Sequence, residues 1–167
     1  MIGTGKRLYL DYNASAPLLD EARNAVIEAL GITGNPSSVH REGRAARALV
    51  ESARRSVAAL VNAKSDHVFF TSGATEAAST LLTPVYMMGR SAVRLSHLYI
   101  SATEHPCMLA GGQFLPENIP VIPVDDNGIL RLAALQPVLN AHDKSAVLPL
   151  VAVQAPNNEP GLTQLTG

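Results

Sequence analysis

Val68-Phe69-Phe70-Thr71-Ser72-Gly73-Ala74-Thr75-Glu76-Ala77 is the stretch whose reading decides the rest of the chain. A β-branched and aromatic run gives way to Thr-Ser, then Gly, then Ala-Thr-Glu and an apolar-rich continuation. That order predicts a buried strand, a tight turn and the first turn of a helix. The first N–H groups of a helix have no intrahelical acceptor and lie at the positive end of its macrodipole. Gly73 would let an anion approach the backbone, and Ser72 and Thr75 add hydroxyl donors. The turn is therefore a candidate phosphate cradle, with a plain helix N-cap as the structural alternative.

Downstream, the pattern predicts a helix running on to about Met88, shortened or kinked at Pro84 and closed by Gly89. Residues 97–102 (His-Leu-Tyr-Ile-Ser-Ala) read as a buried strand that leads into Thr103-Glu104-His105-Pro106, where Pro106 suits the first position of a helix. A strand over 119–124, a turn at Asp125-Asp126-Asn127-Gly128, a helix over 131–141 and an almost wholly apolar strand over 146–154 follow.

Upstream, residues 7–12 form an extended run that stops at Asn13-Ala14-Ser15-Ala16-Pro17, and residues 20–30 read as a helix broken by Gly31 and Gly34. Asn35-Pro36-Ser37-Ser38 is a turn in which Ser37 or Ser38 can serve as an N-cap. The clearest helix covers about 39–62. There Ala46, Leu49, Val50, Ala53, Val57, Leu60 and Val61 recur at three- and four-residue spacing, opposite Arg44, Arg47, Glu51, Arg54 and Arg55. Glu42 and Glu51 interleave with the arginines, which favours a solvated face over a polyanion site. Alternating helices and apolar strands predict a three-layer α/β/α architecture with a largely parallel sheet.

The chain has 167 residues, 47% hydrophobic and 16% charged, with a net charge of −1. That suits one folded domain with a real core and offers no electrostatic case for nucleic acid or an acidic membrane. No apolar run approaches the roughly 18 residues of a membrane span, and the first residues lack a signal peptide's apolar core. One cysteine, Cys107, excludes an internal disulfide and a multi-cysteine zinc site, and the five histidines lie far apart in sequence. A cytoplasmic protein is the expectation.

Ligands of parallel α/β sheets gather at the carboxyl ends of strands. Three such ends carry polar clusters: residues 71–75, Thr103-Glu104-His105 and Asn157-Asn158-Glu159. All three are expected to face one crevice. Each has a structural alternative: His105 caps a helix, and Asn157-Asn158 forms an Asx turn. Cys107 stands at a helix start, where thiols gain reactivity, but free cysteines are usually buried and inert.

At these clusters the sequence resembles the cysteine desulfurases, within the class V aminotransferase group of pyridoxal-phosphate enzymes. Residues 8–17 (Leu-Tyr-Leu-Asp-Tyr-Asn-Ala-Ser-Ala-Pro) look like the family's opening motif, and Gly34-Asn35-Pro36-Ser37-Ser38 with His40 and Gly43 looks like the next. Phe70-Thr71-Ser72-Gly73-Ala74-Thr75-Glu76 matches the phosphate-binding turn. Thr103-Glu104-His105 matches the ring-stacking histidine motif, and Asn157-Asn158-Glu159 with Gly161 matches the Asn-Asn-Glu-x-Gly motif.

The resemblance implies the large domain of the fold-type I (aspartate aminotransferase-like) transferases, with residues 1–16 as a leading segment on the small-domain side and 17–167 as the first half of the cofactor domain. It also implies that Ala74 and Thr75 bind the phosphate of pyridoxal 5′-phosphate. His105 would stack on its ring and assist proton transfer, and Asn158 would hydrogen-bond near its phenolic oxygen. The implied substrate is L-cysteine, converted to alanine with the sulfur left as an enzyme persulfide for iron–sulfur clusters or other sulfur cofactors. The implied partners are a second copy in a homodimer, or a complementing C-terminal half, and a sulfur-acceptor scaffold protein.

The family's pyridinium-pairing aspartate, its Schiff-base lysine in Ser-x-His-Lys and its persulfide cysteine all come later than Asn-Asn-Glu. Lys6, Lys64 and Lys144 do not follow that pattern, and Pro156 and Pro160 depart from it around the Asn-Asn-Glu motif. The expectation is that this chain by itself is inactive. Alternatives are a non-catalytic dimerisation or assembly module, and another class V activity such as a selenocysteine lyase or an aminotransferase.

Overall fold

The computed structural model describes residues 8–12, 14–141, 147–157 and 162–163. The chain divides into two compact units, residues 16–70 and residues 1–15 with 71–167.

The 16–70 unit holds helices α1 (Asp20–Leu30) and α2 (Arg41–Leu60) and a short 3-10 turn over Ser65–His67. Helix α1 has the predicted bounds, with Asp20 and Glu21 in its first turn as the macrodipole favours. Helix α2 starts later than expected, because its N-cap is His40 and neither serine: the His40 ring nitrogen accepts the Gly43 N–H. The apolar side of α2 also corrects the sequence reading. Ala46 and Ala58 are buried, but Leu60 and Val61 stand largely exposed, because the described residues supply no apolar surface over that end.

The run over 68–70 is not a strand, contrary to expectation. The Val68 carbonyl accepts from the Arg54 guanidinium instead of a neighbouring strand. The same guanidinium lies 5.2 Å from the centroid of the Phe70 ring, so one cation takes both the carbonyl and the π face.

The other unit is built on one strand. After helix α3 (Ala74–Leu81), Thr83-Pro84 turns the chain into strand β1 (Val85–Met88). The predicted helix to Met88 is thus two elements: Pro84 has no N–H to continue a helix, and Val85-Tyr86-Met87-Met88 pairs antiparallel with the start of strand β2 (Ser91–Ser101). Gly89 opens the two-residue turn with φ +65°, the pattern of a type II′ hairpin. Further along, β2 pairs in parallel with strand β3 (Val121–Ile122) and with strand β4 (Leu148–Ala152). The sheet is therefore mixed, parallel around β3-β2-β4 and antiparallel at β1.

Alternation along β2 makes the layers. Leu98 and Ile100 point to one face, where Ala78 and Leu82 of α3, Phe114, and Cys107 and Met108 of helix α4 (Pro106–Leu109) cover them. Tyr99 points to the other face, against Ile122 of β3 and Leu135 of helix α5 (Leu132–Ala141), with Ala134, Val138 and Leu139 beside them. Helices on both faces of the sheet give the predicted α/β/α order.

Several turns follow the sequence closely. The Asp125 carboxylate accepts the N–H groups of Asn127 and Ile129, each at 2.9 Å, which is the Asx chemistry expected there. Strands β5 (Pro156–Asn157) and β6 (Leu162–Thr163) pair antiparallel around the Asn-Asn-Glu motif, a hairpin that the sequence reading did not anticipate. Near the start of the described residues, the Tyr9 hydroxyl donates to the carbonyls of Asp11 and Ser15, both at 2.8 Å.

Candidate functional site

A cavity of about 550 Å³ opens in the unit built on β2, lined by Ala74, Ala77, Glu104, His105, Cys107 and Gln154 among others. It lies at the carboxyl ends of β2 and β4, where a parallel sheet exposes its loops. Two of the three polar clusters expected to converge therefore share it. The third is approached through Gln154, three residues before Asn157. Asn158 and Glu159 lie outside the described residues.

Ala74 is the first residue of α3 and Thr75 the second, after Gly73 as N-cap. Gly73 offers no side chain to cap the helix, and the first intrahelical bond runs from Ala77 N–H to the Gly73 carbonyl at 3.1 Å. The N–H groups of Ala74, Thr75 and Glu76 are left without an intrahelical acceptor, and a Cβ at Gly73 would meet nothing within 4 Å. Ala74 lines the cavity; Thr75 is not among its lining residues.

Ser72 does not play the part first read for it. Its N–H and its hydroxyl both donate to the Glu76 carboxylate, each at 2.6 Å. The carboxylate of the third helical residue reaches back past the N-cap Gly73 to the residue before it. These bonds hold the Glu76 carboxyl below its ordinary value, the Ser72 hydroxyl contributing most. Thr71 is likewise engaged, its hydroxyl donating to the Gly73 carbonyl at 3.1 Å.

His105 caps α4, with its Nδ1 accepting the Cys107 N–H at 3.2 Å, and Pro106 follows at the first helical position. An N–H donated to Nδ1 puts the ring's own proton on Nε2. The Cys107 sulfur sits 3.0 Å from the same Nδ1, so the half-buried thiol is held by the histidine it caps with. The helix cap and the cavity wall are one residue; the structural and functional readings of His105 are compatible.

Glu104, quoted in the sequence only as the middle of a cluster, is the buried acid of the site. It is 5% exposed, and its Oε1 accepts the Gln154 N–H at 2.6 Å, tying the turn after β2 to the backbone leaving β4. Its Oε2 and the Oε1 of Gln154 are buried without a partner among the described residues. Burial pushes the Glu104 carboxyl above its ordinary value, against weaker opposing pulls from the N–H groups of Gln154 and His105. A lone glutamate between two polar residues carries no sequence signal of burial. The apolar strand immediately before it was the available hint.

With this geometry in view, comparison with known proteins is decisive at the family level. The model of the family described as "Aminotransferase class-V" matches residues 8–166. The chain belongs to the class-V aminotransferase family. Among its relatives in the family, "Probable cysteine desulfurase, mitochondrial" of Schizosaccharomyces pombe is 34% identical over 165 residues, covering 94% of this chain and 31% of the relative. "Cysteine desulfurase IscS" of Dictyoglomus turgidum is 34% identical over 160 residues, covering 93% of this chain and 39% of the relative. The solved structure of a NifS-like protein from Rickettsia africae superposes with a TM-score of 0.77 at 29% identity, over 93% of this chain and 41% of that one. The chain thus spans between about a third and two fifths of the length of these class-V relatives. Among the described residues, no helix is long and apolar enough to cross a membrane.

Proposed function

We propose that the cavity is the pyridoxal 5′-phosphate site of a cysteine desulfurase-like reaction in which L-cysteine yields alanine and its sulfur. The observation that carries this reading is the shared wall formed by Ala74, at an uncapped helix start, and His105. The residues present fit the group. Unpaired N–H groups at the start of α3 suit a phosphate, and an imidazole on the same wall suits an aromatic ring.

In this reading the N–H groups of Ala74 and Thr75 hold the phosphate, and His105 packs on the ring with its Nε2 proton available for transfer. Asn158 takes its role near the phenolic oxygen from the family motif alone. When bound, the pyridine ring supplies an electron sink for bond breaking at the substrate carbon. Alanines 74, 77 and 78 leave room on the wall, and Glu104 and Gln154 provide its polar floor.

Covalent capture of the cofactor's aldehyde needs a lysine amine. No lysine is among the described residues that line the cavity; Lys64 belongs to the 16–70 unit, and Lys6 and Lys144 lie outside the described residues. In this reading, which follows the family motif, the 167-residue chain by itself binds the cofactor without turning over cysteine. Residues 1–16 as a small-domain segment, 17–167 as cofactor domain, a homodimer or complementing polypeptide, a sulfur-acceptor scaffold and a cytoplasmic setting belong to the same proposal.

Equilibrium dialysis with pyridoxal phosphate, followed by addition of L-cysteine and an assay for alanine, tests it. Saturable binding that inorganic phosphate competes away, without alanine, is the expected result. Absence of saturable binding overturns the site, and release of alanine overturns the inactivity.

A further inference from the structure

The Glu104–Gln154 bond joins positions 50 residues apart, on two segments that line the cavity's polar side. On one side it holds the residue next to His105. On the other it holds the residue from which the backbone continues into β5 at Pro156–Asn157.

We infer that Glu104 is a positioning residue for the reaction proposed above: its carboxyl latches the His105 turn to the segment leaving β4, and so sets the spacing between the His105 ring and the backbone that runs into β5. The inference rests on that reading of the cavity. The latch itself rests on geometry alone. Glu104 makes no ion pair among the described residues, so nothing there neutralises a carboxylate in this buried place. A proton on Oε2 turns that orphaned oxygen into a donor, in a region whose other orphaned atom, Gln154 Oε1, accepts. The acid form thus keeps Oε1 as the acceptor for the Gln154 N–H and lessens the cost of burial.

Glutamate is suited to this by reach. Aspartate is one methylene shorter, and glutamine keeps the accepting oxygen without a titrating group. Substitution by alanine, aspartate and glutamine therefore separates acceptor, length and charge.

The experiment follows the Gln154 amide by NMR in the 167-residue protein and measures pyridoxal phosphate affinity by dialysis. In the wild type this amide proton lies downfield and shifts as Glu104 titrates. In E104Q it stays downfield, loses the titration and keeps affinity within about twofold. In E104A the downfield shift disappears and affinity falls by roughly tenfold, the size of one net hydrogen bond. E104D behaves as E104A does and carries the test should the alanine variant not fold. A Gln154 amide that does not respond to Glu104, or E104A and E104D binding as tightly as wild type, overturns the inference. If the wild type itself does not bind pyridoxal phosphate, the reading of the cavity fails and the positioning role with it, while the Gln154 amide still reports whether the latch exists.

Discussion

The Glu76 carboxylate receives both donors of Ser72, the backbone N–H and the hydroxyl, at 2.6 Å each. An acidic side chain thereby rests on the turn from which a phosphate would be held. The Ser72 hydroxyl is the larger cause of the lowered Glu76 titration, followed by the Ser72 N–H. A lowered folded-state value means stabilisation present above the ordinary 4.5 and lost as pH falls through the folded value. In S72A, carbon NMR of the Glu76 carboxyl should show its midpoint moving up toward 4.5. An unmoved midpoint would show that the pair does not form in solution.

Glu104 carries the opposite sign. Its raised value, caused first by burial, means that folding favours the protonated form. That contribution is complete below the ordinary 4.5 and is lost as pH rises through the folded value. Urea midpoints measured from acid to neutral pH should therefore decline more for wild type than for E104Q, which has no proton to lose. Parallel curves would rule out a buried, titrating Glu104.

His105 has two separable duties, cap and wall. H105A should lose the bond to the Cys107 N–H and cost about 1 kcal/mol. H105N supplies a side-chain cap again, so it should recover most of that stability yet still bind pyridoxal phosphate weakly. Equal recovery of both in H105N would remove the ring-stacking role.

Leu98 is fully buried between β2 and the helices on one face of the sheet, against Ala78, Leu82 and Phe114. L98A removes those contacts and leaves a cavity, costing about 2–5 kcal/mol. Urea denaturation reads it directly; a loss below about 1 kcal/mol would mean that the face is not packed as described.

Gly112 has φ +58°, and a Cβ there would stand 2.3 Å from the Leu82 carbonyl oxygen and 2.5 Å from the Leu82 Cβ. G112A should cost about 1–3 kcal/mol through backbone strain. It should also speed hydrogen exchange at the Gln113 N–H, which donates to that same carbonyl at 2.8 Å. Unchanged exchange would show the close approach is relieved without cost.

Layer order and most helices were legible because periodicity reports burial on a regular face. Residues 20–30 show their helix bounds in their own pattern although none of them is buried among the described residues, and the apolar core of β2 announced both of its faces. The failures lie where tertiary partners decide. Phe69 and Phe70 have strand propensity but pair with no strand among the described residues, and Arg54 takes the Val68 carbonyl. Val85 to Met88 reads equally well as the end of a helix until Pro84 and the Gly89 turn fold it back on β2. At the site, motif order pointed to Ala74, Thr75 and His105. The Glu104–Gln154 bond joins residues far apart in sequence and has no local signature.

The central position of β2 has a consequence for the order in which this unit assembles. Its pairing with β1 needs only a two-residue turn, so that hairpin forms on the timescale of local closure. The register of Leu95 with Leu148 and of Ile100 with Ala152 must await the capture of a distant segment, whose loop entropy is not repaid until the parallel pairs close. The bond from the Gln154 N–H to Glu104 depends on that distant segment, so the polar side of the pocket is complete only once β4 has docked beside β2.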